Sequence, residues 1–124
     1  MTILIIDDSV RKRRIIEKAL KEQGISFITV YAVDIARQVL DMGEKIDGIV
    51  LDMQLPIYSD QKSKTKNGGY VFLNWLSAHS LEIPVLGNSL QEFKTDYQYF
   101  KGQMPGDYDP DIFQEFLTSI KDHS

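Results

Sequence analysis

Asp52 closes a short apolar run, Gly48-Ile49-Val50-Leu51, and Pro56 follows four residues later. Asp7 and Asp8 close a second apolar run, TILII at residues 2–6. An aspartate carboxylate can act as a nucleophile and form an acyl phosphate. Three carboxylates held close together repel one another unless a cation joins them or some are protonated. Hard oxygen donors with room for water suit Mg²⁺. A metal beside a carboxylate nucleophile supplies what phosphoryl transfer asks for, positioning and charge neutralisation. Asp52 is therefore the candidate reactive group, with Asp7 and Asp8 as its metal-holding neighbours. Singly, each acid is as well explained by capping a helix or ending a strand. The functional reading depends on all three falling at one sheet edge.

Two further side chains are candidates for the same edge. Ser89 ends the apolar stretch Ile83 to Asn88, so its hydroxyl could donate to a phosphoryl oxygen. Lys101 ends the aromatic stretch Tyr97 to Phe100 and could neutralise the same anion. The alternatives are ordinary turn chemistry for the serine and a solvated side chain for the lysine. His79 and His123 lie near helix ends without metal-ligand spacing and read as surface residues.

The elements that must position these groups follow from the hydrophobic pattern. Residues 2–6 are β-branched or apolar and read as a buried first strand. Ser9 is suited to cap a helix from Val10 to about Gln23, with Gly24 as its stop. Arg11, Lys12, Arg13 and Arg14 crowd its first turns, where the helix dipole disfavours cations. The acids just before them offset that, and the run reads as a solvated helix face. Residues 25–31 form a second strand, residues 34–42 a second helix ended by Gly43, and the stretch Ile46 to Pro56, with its apolar run Gly48 to Leu51, supplies a third strand. This β-α-β-α-β order predicts a doubly wound parallel sheet. Its strands one and three are adjacent in an order beginning 2-1-3, and ligands collect at their carboxyl ends.

Beyond Pro56 the pattern lapses into a polar loop, Tyr58 to Asn67, with three lysines. Loops of this length tend to be functional or mobile. A third helix is expected over 70–79 and a fourth strand over 83–88. The aromatic density of 97–101 predicts strand five there. The connection from strand four is then so short that its helix is short or absent. The last helix runs over 111–122.

Bulk properties bound the function. The chain's 124 residues make one domain, 1–124, with 43% apolar and 26% charged residues. Net charge is -4, so nothing global recruits nucleic acid or an anionic membrane. There is no cysteine, no apolar run of membrane-spanning length and no basic leader. These features point to a cytoplasmic protein.

Over nearly its whole length the sequence resembles the receiver domains of two-component response regulators. The resemblance is carried by Ile5-Ile6-Asp7-Asp8-Ser9, Val50-Leu51-Asp52-Met53-Gln54-Leu55-Pro56, Gly69-Tyr70-Val71-Phe72-Leu73, and Ile83-Pro84-Val85 with Ser89. It implies a flavodoxin-like α/β fold with a five-stranded parallel sheet in the order 2-1-3-4-5. It implies that Asp52 accepts a phosphoryl group from the phosphohistidine of a sensor histidine kinase or phosphotransfer protein. Asp8 would bind Mg²⁺ directly, Asp7 through water or hydrogen bonds, and the carbonyl of Gln54 would be a further ligand. Ser89 and Lys101 would hold the phosphoryl oxygens. Such a protein is a phosphoacceptor switch acting on a downstream partner, not a turnover enzyme.

Three other functions compete. The same fold can serve as a phosphorylation-independent interaction module, a pseudo-receiver. Leu90, a bulky residue after Ser89 where the family usually has a small one, favours that reading. A Mg²⁺-dependent phosphatase with an aspartate nucleophile commonly has a second acid two residues on, where Gln54 stands. A flavodoxin-type electron carrier needs a phosphate-cradling first turn, and residues 7–11 are acidic and glycine-free.

Overall fold

The computed structural model describes residues 1–60 and 67–122. The three lysines of the polar loop and His123 lie outside the described residues. The element order is β1 (Thr2–Ile6), α1 (Val10–Glu22), β2 (Ser26–Val30), α2 (Val33–Asp41), β3 (Gly48–Leu51), α3 (Gly68–Ala78), β4 (Val85–Asn88), β5 (Phe100–Met104) and α4 (Pro110–Asp122). All neighbouring strands pair in parallel, and the sheet order is β2-β1-β3-β4-β5. The expected doubly wound sheet is therefore present.

Alternation along the strands divides the core between two faces, because successive side chains point to opposite sides. Leu4, Ile6, Ile49, Leu51 and Val85 pack with α2 and α3, through Val33, Ala36, Phe72 and Leu76. Ile3, Ile5, Val50 and Leu86 pack with α1 and α4, through Ile16, Leu20, Phe113 and Leu117. Burial on both faces explains why β1 and β3 read as continuous apolar runs. No helix of the described residues is long and apolar enough to cross a membrane.

The sheet edge that matters is set by register. Ile6 pairs with Leu51, and Leu51 with Gly87. The Asp7 amide then donates to the Val30 carbonyl at 3.0 Å, and the Asp52 amide to the Ile6 carbonyl at 3.0 Å. Both acids thus leave the sheet at one level. The chain beyond Asp52 is held from two sides. Amides of Val33 and Asp34, opening α2, donate to the carbonyls of Pro56 and Ile57 at 3.0 and 2.9 Å. They serve in place of a side-chain cap, which Ala32 cannot provide. On the other side the Gly69 amide of α3 donates to the Met53 carbonyl at 2.7 Å.

Strand five departs from expectation. It covers residues 100–104 rather than 97–101. Tyr97 and Tyr99 precede it, and no helix stands between β4 and β5 among the described residues. The aromatic run is an anchor, not a strand. The buried Tyr97 hydroxyl accepts from the Ile83 amide at 3.1 Å and sits within donating distance of the Leu81 and Ile83 carbonyls. Burial pushes its pKa up to about 12, so it keeps its proton. Phe93 lies over Gly87 of β4, where a Cβ would meet its ring at 2.7 Å. The strand itself, FKGQM, is interrupted by a register shift, and Gly102 takes φ +110 there. A glycine-bearing bulge is masked in a hydrophobicity pattern.

Candidate phosphoacceptor site

The site forms where β1, β3 and β4 end. Asp7, Asp52, Asn88 and Ser89 are all buried, with relative exposures of 3%, 4%, 2% and 5%. Asp7, Asp8 and Asp52 each offer a carboxylate oxygen, and these oxygens lie within 4.8 Å of one another. The three acids named from spacing are thus brought together. Asp7 is fixed by the Ser9 amide, which donates to its Oδ1 at 2.8 Å. Ser9 also caps α1, its Oγ accepting from the Lys12 amide at 3.4 Å. The Gln54 amide donates to Asp52 Oδ1 at 3.3 Å.

A cavity of about 520 Å³ opens beside Asp52 and is lined also by Gln54, Ser89, Gln91, Lys12 and Gly106. Ser89 therefore lies at the same edge of the sheet as Asp52. Its Oγ accepts from the Gln91 amide at 3.2 Å. Gln103 of β5 braces this loop, its Nε2 donating to the carbonyls of Ser89 and Gln91 at 3.2 and 2.9 Å. Leu90 lines the cavity but is 90% exposed, so it borders the opening without filling it.

Lys101 is not in this site. It is exposed and lies in the first half of β5, where Phe100 pairs with Val85. Its neighbours around a separate cavity are Asp47, Glu82, Pro84 and Ile120, which border the amino-terminal edge of the sheet. The three-residue displacement of β5 is the cause. At the carboxyl edge β5 ends instead in Met104, fully buried and paired with Asn88.

The side chain missed from sequence is Lys12. Its Nζ lies 3.5 Å from Asp7 Oδ2 and 3.5 Å from Asp52 Oδ1, and donates to the Asn88 carbonyl at 3.2 Å. It is not part of a solvated face, its side chain being only 17% exposed. The available signal was its place on the first turn of α1. A cation there opposes the helix dipole and is tolerated where carboxylates are close. His79 is exposed, with Nδ1 2.9 Å from the Trp75 carbonyl, which fits a surface residue.

Electrostatics favour a divalent ion. Among the described residues, the three carboxylates face one ammonium, so carboxylates outnumber cations at the site. The donors are hard oxygens, the type Mg²⁺ takes. The chemistry of the donor set therefore fits the metal. Burial raises the Asp7 pKa above the ordinary carboxylate value, while the Ser9 amide and Lys12 lower it in part. The folded state then binds this proton more tightly than the unfolded chain. In metal-free protein, unfolding free energy is expected to fall as pH rises from the unfolded carboxylate pKa through the raised one. Urea midpoints across roughly pH 4 to 7 check this, and Asp7→Asn is expected to flatten the slope.

No known family model matches the sequence, and no curated protein matches it. Solved structures do. The receiver domain of a Francisella response regulator superposes with a TM-score of 0.78 at 16% identity, covering 99% of this chain and 98% of that one. A response regulator receiver domain from Methylobacillus flagellatus gives 0.76 at 17% identity, covering 97% and 98%. The receiver domain of a sensor histidine kinase from Pseudomonas aeruginosa gives 0.76 at 17% identity, covering 97% of each chain, and that structure holds a magnesium ion in its active-site cleft. The chain has the receiver-domain fold.

Proposed function

We propose that this chain is a response regulator of two-component signalling, accepting a phosphoryl group on Asp52 from a phosphohistidine with the help of Mg²⁺. The observation that carries the reading is the convergence of Asp7, Asp8 and Asp52 within 4.8 Å at the sheet edge where Ser89 also stands. In the transfer, an Asp52 carboxylate oxygen forms a bond to phosphorus as the donor's N–P bond breaks. The electron pair stays on the imidazole nitrogen, and the ring, already protonated on its other nitrogen in the donor, leaves as neutral imidazole. Asp7, Asp8, Asp52 and the Gln54 carbonyl would hold the metal, which supplies charge neutralisation at the phosphoryl oxygens when bound. Ser89 would donate its hydroxyl to one of those oxygens. Toward Gln91 its Oγ acts as acceptor, which leaves that bond compatible with donation from the same hydroxyl.

The switch follows from charge. A phosphoryl group adds negative charge and acceptor oxygens to a site bordered by the 89–93 loop. A shift of Ser89 pulls on Gln103, which bonds the carbonyls of Ser89 and Gln91 and accepts from the Phe93 amide at 2.7 Å. A downstream protein would read that face. The donor would be a sensor histidine kinase or phosphotransfer protein, and the setting the cytoplasm.

Incubation with acetyl phosphate and Mg²⁺ tests this. Intact-mass spectrometry is expected to show one added phosphoryl group, mapped to Asp52, and EDTA is expected to abolish it. One observation favours the second reading, a binding module indifferent to phosphorylation: β5 brings no lysine to the acceptor edge. That reading predicts no adduct under the same conditions.

A further inference from the structure

We propose that Lys12, on the first turn of α1, is the cation that holds the phosphoryl group on Asp52. This assignment rests on the phosphoacceptor reading above. A phosphoryl group brings up to about two negative charges to a carboxylate that already faces two others. A bound divalent ion cannot meet every oxygen, and a second cation is needed within contact distance. Two basic side chains among the described residues line the cavity, Arg11 and Lys12. Arg11 is 69% exposed and pairs at 3.4 Å with Asp107, which also lines the cavity. Lys12 is inside, its Nζ 3.5 Å from the Asp52 oxygen that would bond phosphorus or neighbour the one that does.

The surroundings of that ammonium fit the role. The Asn88 carbonyl at 3.2 Å holds it between the ends of β3 and β4, the gap into which an acyl phosphate on Asp52 would project beside Ser89. Only a small rotation of a flexible stem is needed to move from carboxylate to phosphoryl oxygen. The lysine of β5 cannot do the same, since Lys101 lies at the opposite edge of the sheet. Met104, which does reach the acceptor edge, is apolar, and its sulfur accepts from the Asp109 amide at 3.4 Å. A strand-borne cation is thus replaced by a helix-borne one, approaching from the α1 face.

In the bond-forming step, the Asp52 oxygen attacks phosphorus and the donor's N–P or acetyl O–P bond breaks, its electron pair leaving with imidazole or acetate. Lys12 neither gives nor takes a proton. It offsets charge on the phosphoryl oxygens as they leave one partner for the other, the kind of preorganised donor whose removal costs about 10²-fold or more in rate.

The test compares wild type with Lys12→Met, Lys12→Gln, Lys12→Arg and Lys101→Met. Three quantities are read: the initial rate of Asp52 labelling by acetyl phosphate at saturating Mg²⁺, beryllofluoride affinity, and Mg²⁺ affinity alone. Lys12→Met and Lys12→Gln are expected to label about 10²-fold more slowly and to bind beryllofluoride correspondingly more weakly. Their Mg²⁺ affinity is expected to rise, because a competing positive charge has gone. A general loss of structure would lower all three, so the opposed signs separate charge from folding. Lys12→Arg is expected to recover part of the rate. Labelling of both neutral variants at the wild-type rate overturns the proposal, as does loss of rate in Lys101→Met with none in Lys12→Met. A wild type that takes no phosphoryl group overturns the phosphoacceptor reading and this proposal with it.

Discussion

Asp52→Asn is expected to abolish phosphoryl labelling and, in the same protein without metal, to raise stability. The loss is complete in kind, because an amide oxygen is not a nucleophile of carboxylate strength and cannot form the acyl phosphate. The gain comes from relieved repulsion. Asp7 and Asp8 remain, and their carboxylate oxygens are within 4.8 Å of those of Asp52. Lys12 keeps its ion pair with Asp7 at 3.5 Å, so no buried cation is stranded. With one carboxylate gone, its like-charge contacts with Asp7 and Asp8 are removed against the loss of its ion pair with Lys12, and the expected increase is about 1 kcal/mol. Urea unfolding in EDTA measures it. Saturating Mg²⁺ is expected to reverse the order, since the variant has lost a ligand and the wild type gains stability by mass action. A variant less stable than wild type in EDTA would show that Asp52 serves the fold. Activity bought at the expense of stability is the ordinary signature of a functional group.

That trade explains which parts of the site were legible. β1 and β3 are buried on both faces, so their sequences are unbroken apolar runs, and the acids that end them stand out. Parallel pairing then forces Asp7 and Asp52 to one edge without further information. Ser89 follows by the same rule from β4. The fifth strand obeys no such rule. FKGQM is half polar, carries a positive-φ glycine and is exposed at its centre. The neighbouring YQYF has the composition of a strand, yet Tyr97 spends its ring and hydroxyl on tying residues 81–83 to the loop. Strand propensity measures fit to a pleated surface, and an aromatic anchor satisfies the same preference without pairing. Lys101 was misplaced for that reason alone. Lys12 was obscured differently. In a run of four basic residues, only the helical phase decides which one turns inward, and the phase depends on the Ser9 cap.

Gly69→Ala is expected to destabilise the protein and slow Asp52 labelling together, although residue preference argues the opposite. Gly69 lies in the first turn of α3 without a positive φ, so alanine would suit the backbone better by up to about 1 kcal/mol. Packing decides the sign. A Cβ there would meet Met53 Cα at 2.7 Å, the Asp52 carbonyl oxygen at 3.0 Å and the Phe93 ring at 3.1 Å. Two of those three are backbone atoms of the segment that carries Asp52, and they cannot turn aside as a side chain would. Either α3 withdraws, breaking the 2.7 Å bond from the Gly69 amide to the Met53 carbonyl, or the Asp52 loop moves. Overpacking of this kind costs about 1–3 kcal/mol, which exceeds the gain in propensity. A displaced Asp52 carbonyl also rotates the carboxylate out of line with Asp7 and Asp8, so metal affinity should fall with the labelling rate. Gly43→Ala provides the contrast. It has φ +83 and nothing within 4 Å of the added carbon. It is expected to lose roughly 1 kcal/mol to backbone strain while labelling at the wild-type rate. A stabilised Gly69→Ala, or one that labels normally, would mean that α3 does not clamp the loop, and the close approach of the helix to Asp52 would need another reason.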